Sequence, residues 1–337
     1  MLKSHEELQA LMRQRRVFIT GGSGFVGRNL IRYYRSAGAH VRALTRSQSA
    51  DERVSQAGGI PVRGDLLDPD LHLLMQECDL LIHAAADTAH AYYSDEQWRV
   101  NVNGTRHAFA AARKAGIQRA VYVSTESILL TGAPLRMADE TLSVPQKSVG
   151  AYSRSKAAGE RAALSYATGN FSVTAVRPRF VWGHGDTTAL PQLVGAVESG
   201  KFAWIGGGDY LTSTTHSENL CQGISRAAEF GRTGEAYFIT DGNPRVFREF
   251  VSALLATQGI VAPSKNVPRP VVRLFARAGD GLYRLSRGKI QSPLNMQVFA
   301  TSAVEVSLDI TKARSELGYE PLVSLEQGLE LMKMKSS

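Results

Sequence analysis

Short apolar runs alternate with helix-like segments along the first half of the chain. Runs rich in β-branched and aromatic residues predict strands at 17–20, 40–44, 61–65, 80–83, 120–123 and 171–176. Helical patterns lie between them at 30–37, in the stretch before Cys78, at 101–115 and from Tyr152 onward. Strands that alternate with helices are typical of a doubly wound parallel sheet with right-handed connections. The pattern therefore predicts an α/β fold.

A glycine-rich loop joins the first predicted strand to the first predicted helix. Gly21, Gly24 and Gly27 are spaced three residues apart, and Phe25 and Val26 lead into the helix. Glycines at this position permit a tight turn and a close approach of the backbone to a pyrophosphate, and the helix N-terminus offers free N–H groups. The loop predicts dinucleotide binding in a Rossmann-type fold.

The end of the second predicted strand indicates which dinucleotide binds. An NAD-binding unit is expected to place an acidic residue there, against the ribose 2′-hydroxyl. This chain instead has Arg46 and Ser47, and no acid occurs before Asp51. Since Arg and Ser can hold a 2′-phosphate, we predict NADP(H) in preference to NAD(H).

The sequence changes in character after residue 180. Loop-rich stretches around 182–186, 204–208 and 216–220 are separated by helical patterns, and no linker-like tract divides the chain. We predict a dinucleotide-binding core over residues 1–180. Residues 181–337 are predicted to form mainly a smaller C-terminal substrate-binding lobe, with some segments returning to the core.

Tyr152 and Lys156 are four residues apart at the start of an alanine-rich helical run, so their side chains share a helix face. A nearby ammonium favours the phenolate and lowers the pKa of a tyrosine, which suits an acid/base acting on a carbonyl or alcohol oxygen. Ser124 and Thr125 follow the strand at 120–123, where hydroxyl groups face the ligand crevice of an α/β sheet. These residues predict carbonyl chemistry.

Composition narrows the function classes. The formal charge of +8 is spread over 337 residues without a basic tail, so nucleic-acid binding is not expected. Cys78 and Cys221 form no Cys-x-x-Cys motif, so neither a metal site nor a disulfide is expected. No apolar run is long enough to span a bilayer and no secretory signal is readable, which favours a cytoplasmic protein. His83 ends a strand, and we interpret it as structural.

Basic residues recur every three or four positions between Lys265 and Lys289. This spacing predicts one basic amphipathic helix, or a helix pair broken near Gly279 and Gly281, with Leu274 and other apolar residues off the basic side. We interpret it as the solvated face of a lid over the substrate. The alternative is a weak contact with a membrane surface.

The chain as a whole resembles the extended short-chain dehydrogenase/reductase superfamily. Within it, the chain is most similar to the 3β-hydroxysteroid and sterol dehydrogenase branch. The matching motifs occur in the order and spacing of that superfamily: the glycine loop, Asp65, Ala84 to Ala86, Asn101-Val102-x-Gly104-Thr105, Ser124-Thr125, Tyr152-x-x-x-Lys156, Arg177-Pro178 and His216-x-x-Asn219-Leu220. The branch is indicated by Tyr237 to Gly242, Phe247 to Phe250, Asp309-x-x-Lys312-Ala313 and Leu317-Gly318-Tyr319.

The resemblance implies a role for each matching residue. Tyr152 would be the general acid/base, Lys156 would bind the nicotinamide ribose and Thr125 would hydrogen-bond the reacting oxygen. The implied cofactor contacts come from Gly21, Gly24, Phe25, Val26, Gly27, Arg46, Ser47, Asp65, Leu66, Ala84, Ala85, Ala86, Asn101, Ser124, Tyr152, Lys156 and Pro178.

The favoured function is an NADP(H)-dependent oxidoreductase that interconverts a ketone and a secondary alcohol on a bulky apolar substrate. Phe180, Trp182, Trp204 and Tyr210 are available to line the site or to form core. One alternative is a nucleotide-sugar epimerase or dehydratase. Two positions depart from the pattern of those enzymes and weigh against it: Ser127 follows Glu126, and Thr212 stands four residues before His216. The other is a non-catalytic NADP sensor. The resemblance also implies a homodimer built through the helices at 101–115 and 152–168.

Overall fold

The computed structural model describes residues 4–89, 92 and 94–334. The strands are β1 (Arg16–Thr20), β2 (His40–Thr45), β3 (Ile60–Arg63), β4 (Leu80–His83), β5 (Arg119–Val123), β6 (Leu135–Ala138), β7 (Ser172–Pro178), β8 (Val181–Trp182), β9 (Trp204–Ile205), β10 (Leu211–Thr212), β11 (Thr215–His216), β12 (Ala236–Ile239), β13 (Arg245–Val246), β14 (Asn266–Val267) and β15 (Val306–Leu308). The α-helices are α1 (His5–Arg13), α2 (Phe25–Ser36), α3 (Gln48–Gln56), α4 (Leu71–Leu74), α5 (Asp95–Trp98), α6 (Thr105–Lys114), α7 (Gly150–Leu164), α8 (Ala189–Glu198), α9 (Ser217–Phe230), α10 (Phe247–Ala256), α11 (Arg269–Leu285), α12 (Met296–Ser302) and α13 (Leu325–Met334).

A seven-stranded parallel sheet forms the centre, in the order β12-β7-β5-β4-β1-β2-β3. The chain order reverses between β1 and β4, and loops after strands on either side of such a reversal leave a crevice at the carboxyl edge of the sheet. The predicted doubly wound Rossmann-type sheet is therefore confirmed, and the crevice lies where the glycine loop, β4 and β5 end.

Helices cover both faces of this sheet. One apolar cluster joins α2 and α9 to the sheet through residues such as Leu30 and Ile224, and a second joins α6 through Phe109. Strands β1, β4, β5 and β7 are buried on both faces, which accounts for their nearly continuous apolar runs in the sequence. After residue 180 the chain returns to this sheet, because β12 pairs with β7.

A third apolar cluster lies in the C-terminal part of the chain. Trp182, Trp204 and Tyr210 are buried in it together with α10 residues such as Phe250, whereas Phe180 is half-buried. The two tryptophans and Tyr210 are therefore core residues of the lobe. Phe180 packs edge-on against Phe250 and has a positive φ of 41°.

One predicted helix differs from the observed structure, because the stretch before Cys78 contains only the single turn of α4. The basic segment forms one helix over 269–285 that continues through Gly279 and Gly281, which is the first of the two predicted alternatives. Gly279 packs so closely on Leu294 and Ser292 that an added Cβ would lie 2.6 Å from the Leu294 carbonyl oxygen. A glycine here serves helix packing and causes no break.

Three further expectations concern membranes, metals and assembly. Among the described residues, no helix is long and apolar enough to cross a membrane, and no cluster of His, Cys, Asp or Glu is arranged to hold a metal ion. Ala111 and Ala112 of α6 and Ala157 of α7 are buried within the chain itself. The homodimer through these helices stays a prediction.

Candidate active site

The glycine loop closes the carboxyl end of β1. Gly21 has φ +73°, and an added Cβ would lie 2.7 Å from the backbone nitrogen of Ala85. A Cβ on Gly27 would lie 2.1 Å from the Gly21 carbonyl oxygen, so only glycine lets α2 pack this closely on the loop. Both glycines are required by the geometry.

Helix α2 begins directly after the loop. Gly24 is its N-cap and brings no side chain to the first N–H groups of the helix, which include those of Phe25 and Val26. Free N–H groups at a helix N-terminus form a site for phosphate. Arg28 holds the loop in place by donating to the carbonyl oxygens of Ser23 at 2.8 Å and Gly185 at 3.1 Å.

Arg46 is exposed immediately after β2, and Ser47 caps α3 by accepting from the Ala50 N–H at 3.3 Å. Asp51, the first acidic residue after β2, is paired with Arg63 at the end of β3. The hydrogen bond from Arg63 lowers the pKa of Asp51, so this carboxylate is already neutralised by a cation.

The loops after β3 and β4 form the adjoining rim. Asp65 accepts from the Leu67 N–H at 3.0 Å, and Leu66 packs against Gly104. The backbone N–H of Ala84 donates to the Thr20 carbonyl, and the backbone N–H of Ala85 donates to the Thr20 hydroxyl. Together with Ala86 these alanines are half-buried and offer little side-chain bulk to a ligand.

Asn101 is buried and organises this rim. Its side chain accepts from the Asp87 N–H at 2.8 Å, donates to the Asp87 carbonyl at 2.9 Å and donates to Ser155 at 3.0 Å. It therefore ties the loop after β4 to α7. This contact set makes Asn101 a positioning residue for the crevice.

His83 is structural, as predicted. Its two ring nitrogens contact the hydroxyls of Thr20 at 2.7 Å and Thr105 at 3.0 Å. Complete burial, followed by the charge of Lys156, lowers the pKa of His83 to about 3. A neutral imidazole with both nitrogens occupied has no free atom for catalysis.

The structure brings Thr125, Tyr152 and Lys156 together at the end of β5. The Tyr152 hydroxyl is hydrogen-bonded with Thr125. One helical turn further on, Lys156 donates to the Val123 carbonyl at 2.7 Å and lies 4.3 Å from the ring centroid of Tyr122. All three residues are buried, as are Ser124 and Pro178 beside them.

The expected lowering of the Tyr152 pKa is wrong for this structure. Burial raises the pKa of Tyr152, the negative charge of Glu126 raises it further, and the hydrogen bond with Thr125 opposes both. Burial also lowers the pKa of Lys156 to about 7, against an opposing effect of Glu160. The sequence could not reveal how strongly desolvation acts on both groups.

Glu126 and Arg179 form a buried ion pair whose role the sequence did not reveal. Arg179 Nη1 donates to Glu126 Oε1 at 2.5 Å, and Glu126 Oε2 accepts from the Thr125 hydroxyl at 2.8 Å. Arg179 also donates to Thr212 and to the Thr301 carbonyl, so it joins the sheet to the lobe. The only sequence signal was the acidic residue directly after Thr125.

The pKa of Lys156 has a consequence for stability. Below pH 7 the amine is protonated in both the folded and the unfolded state, and burial of its charge lowers the free energy of unfolding most. Above pH 10.5 the amine is neutral in both states, and this loss of stability is absent. The contribution of Lys156 to the free energy of unfolding therefore rises between pH 7 and pH 10.5. We expect the free energy of unfolding of wild type, relative to Lys156→Met, to increase from pH 7 to 10.5 in urea titrations. Lys147→Met, at an exposed position, is the control variant for the same titrations.

The site fits a dinucleotide. The Ser124 hydroxyl is buried and has no hydrogen-bond partner in the part of the chain that the structure describes. It follows β5 directly, one position before Thr125, at the carboxyl edge of the sheet. The glycine loop and α2 would hold the pyrophosphate, and Ser124, Tyr152 and Lys156 would surround the nicotinamide end.

Comparison with known proteins identifies the family of the chain. The 3-beta hydroxysteroid dehydrogenase/isomerase family model matches residues 18–269. The 4-hydroxy-2-methyl-3-oxo-4-farnesyl-3,4-dihydroquinoline-1-oxide ketoreductase of Stigmatella aurantiaca is 43% identical over 94% of this chain and 96% of its own length. The 2-alkyl-3-oxoalkanoate reductase of Stenotrophomonas maltophilia is 30% identical over 96% of this chain and 99% of its own.

Solved structures share the fold. The dTDP-glucose 4,6-dehydratase DesIV of Streptomyces venezuelae, as a double mutant with NAD bound, has a TM-score of 0.72 and 23% identity. The superposition covers 95% of this chain and 96% of that one. At this identity the likeness concerns the extended short-chain dehydrogenase/reductase fold alone. The family model and the identity to the curated relatives place the chain in the 3-beta hydroxysteroid dehydrogenase/isomerase family of NAD(P)-dependent enzymes.

Proposed function

We propose that the protein is an NADPH-dependent ketoreductase that reduces a 3-oxo group on a bulky apolar substrate. The observation that carries the proposal is the buried cluster of Thr125, Tyr152 and Lys156 at the carboxyl edge of the sheet, beside the glycine loop. A reduced nicotinamide bound there supplies hydride to the carbonyl carbon. The protein supplies position, a proton and exclusion of water.

The proton comes from Tyr152. A raised pKa keeps its phenol protonated in the resting site, which suits donation to a carbonyl oxygen that gains negative charge. Thr125 has one hydroxyl proton, which points to Glu126 in this structure. To stabilise the developing oxyanion it turns that proton toward the substrate, and its hydrogen bond with Glu126 is then given up.

The substrate class follows from the two relatives and from the lobe. Both relatives are named for reactions of 3-oxo compounds that carry an apolar substituent, a farnesyl group in one and an alkyl group in the other. The diphosphate of a nucleotide sugar would need a cation near His216, and Thr212 there is buried and bonded to Arg179. Glu126 is likewise engaged by Arg179, so a free acid beside Thr125 is lacking for dehydration.

Preference for NADPH is assigned to Arg46, with Ser47 and the α3 N-terminus completing the 2′-phosphate site. We expect Arg46→Asp to lower the NADPH-to-NADH ratio of kcat/KM by roughly 10- to 100-fold, because a charge-assisted hydrogen bond is worth about 1.5–3 kcal/mol. The control is Arg53→Asp, because Arg53 is an exposed cation on α3. An unchanged ratio in Arg46→Asp would remove Arg46 from cofactor selection.

The proposed function is tested by NADPH oxidation against a panel of substrates. The panel contains 2-alkyl-3-oxo acids, ring ketones with isoprenoid chains, dTDP-glucose and UDP-glucose. Turnover of an apolar ketone supports the proposal. Epimerisation and dehydration of a sugar consume no NADPH, so the two nucleotide sugars are followed by chromatography of their products, and conversion confined to them supports the epimerase/dehydratase alternative. Tight NADPH binding without conversion of any panel member supports a cofactor sensor.

A further inference from the structure

The outward side of helix α11 carries a continuous row of exposed apolar residues. Leu274, Phe275 and Leu285 are 66%, 61% and 87% exposed, and Val271 and Leu282 are exposed with them. Their spacing of three, four and seven residues places all five on one side of the helix. We call these five residues the apolar stripe. Single exposed apolar residues are ordinary on protein surfaces, but a continuous stripe on one helix indicates an interaction surface.

The stripe cannot turn inward, because an adjacent side of α11 is fixed to the protein. Val272, Ala276 and Gly279 are buried there. Gly279 is in close contact with the Leu294 carbonyl, and Arg273 lies 6.0 Å from the ring centroid of Phe299 on α12. The exposure of the stripe therefore follows from how α11 packs.

Basic side chains border the stripe. Arg273, Arg277 and Arg284 lie at helical spacing along one side of it, and all three are exposed. Arg287 and Lys289 follow the helix, and Asp280 is the single acidic residue between 269 and 290. Two copies of this surface would repel each other. An apolar side bordered by arginines instead complements anionic headgroups above acyl chains.

The stripe is connected to the rim of the active site. Tyr283 of α11 stacks on Tyr92, in the segment that follows β4, with ring centroids 4.0 Å apart. Helix α12, on which α11 packs, reaches α7 through Gln297, which accepts from the hydroxyl of Ser153 at 2.9 Å. Ser153 is next to Tyr152. A ligand on α11 would therefore lie beside the entrance to the crevice.

We infer that α11 docks the protein on an anionic lipid membrane as an in-plane helix. The apolar stripe enters the boundary between headgroups and acyl chains, and the bordering arginines contact lipid phosphates. This orientation brings the rim of the site to the bilayer, where the apolar substrate of the proposed function would dissolve. The docking itself does not depend on that function.

The test is cosedimentation of the full chain with vesicles at low salt. We expect binding to vesicles of phosphatidylcholine with phosphatidylglycerol, and at least tenfold weaker partitioning onto phosphatidylcholine alone. Leu274→Gln with Phe275→Gln should lower partitioning onto the anionic vesicles by tenfold or more, since it removes buried apolar area. Arg277→Gln should lower it by about fivefold, the contribution of one cation at such a surface.

Matched controls isolate the stripe. Ile60 and Leu73 are also exposed apolar residues, 56% and 47%, on β3 and α4. Ile60→Gln with Leu73→Gln should bind vesicles as wild type does, and circular dichroism should show that both double variants are folded. The proposal is overturned if wild type does not bind anionic vesicles, or if the two double variants bind equally well. It is also overturned if the α11 variant only converts a dimer to a monomer, which would identify a second copy as the occupant.

Discussion

Replacing Tyr152 with phenylalanine is expected to lower kcat for ketone reduction by about 10² to 10⁴, the range for loss of a general acid/base. The phenol is the proton donor of the proposed reaction and is buried against Thr125, so water cannot readily take its place. Cofactor affinity should stay nearly unchanged, because the glycine loop and the α2 N-terminus are untouched. Steady-state kinetics and fluorescence titration with NADPH measure the two effects separately.

The matched control is Tyr33→Phe. Tyr33 also has a buried phenol oxygen, without a hydrogen-bond partner among the described residues, but it lies on α2 away from the cluster. Its loss should leave kcat within about twofold, as expected for a group that takes no part in the transition state. Wild-type turnover by Tyr152→Phe would assign the proton donor to another group. A parallel loss of NADPH affinity would mean that the substitution disturbs the crevice.

Much of the fold was readable from the sequence because local signals and the final environment agree. The glycine loop is one case, since Gly21 and Gly27 occupy positions where any Cβ would collide with backbone. Strands β1, β4, β5 and β7 of the central sheet are another, because burial on both faces requires continuous apolar runs. The clustering of Thr125 with Tyr152 and Lys156 followed from their places at a strand end and on one helix face.

The remaining features depend on contacts between residues distant in sequence. Arg179 reaches Glu126 across 53 positions, and neither residue has a local pattern that would reveal the pair. The pKa of Tyr152 was misjudged for the same reason, since spacing alone gives the distance to Lys156 but not the depth of burial. The exposure of Leu274 and Phe275 also depends on which side of α11 packs on α12, which a helical pattern leaves undecided.

The second large effect that we expect is a loss of stability when the buried pair of Arg179 and Glu126 is broken. We expect Arg179→Met to lower the free energy of unfolding by about 3–5 kcal/mol, because it leaves the Glu126 carboxylate buried without its cation. The exposed pair of Arg136 and Glu305 is the control, and Arg136→Met should change stability by less than about 1 kcal/mol. Urea titration of each variant at one pH gives both values.

A double variant distinguishes loss of the pair from loss of packing. Arg179→Met with Glu126→Gln removes both charges, and it should recover most of the lost stability, since replacing a whole buried pair by neutral groups is often nearly neutral. A double variant as unstable as Arg179→Met would instead attribute the loss to the bonds that Arg179 makes to Thr212 and Thr301. Removal of the Glu126 charge should also lower the pKa of Tyr152, because that charge raises it in the wild type. The same variant therefore tests whether the pair that joins sheet and lobe also sets the protonation of Tyr152, the proton donor of the proposed reaction.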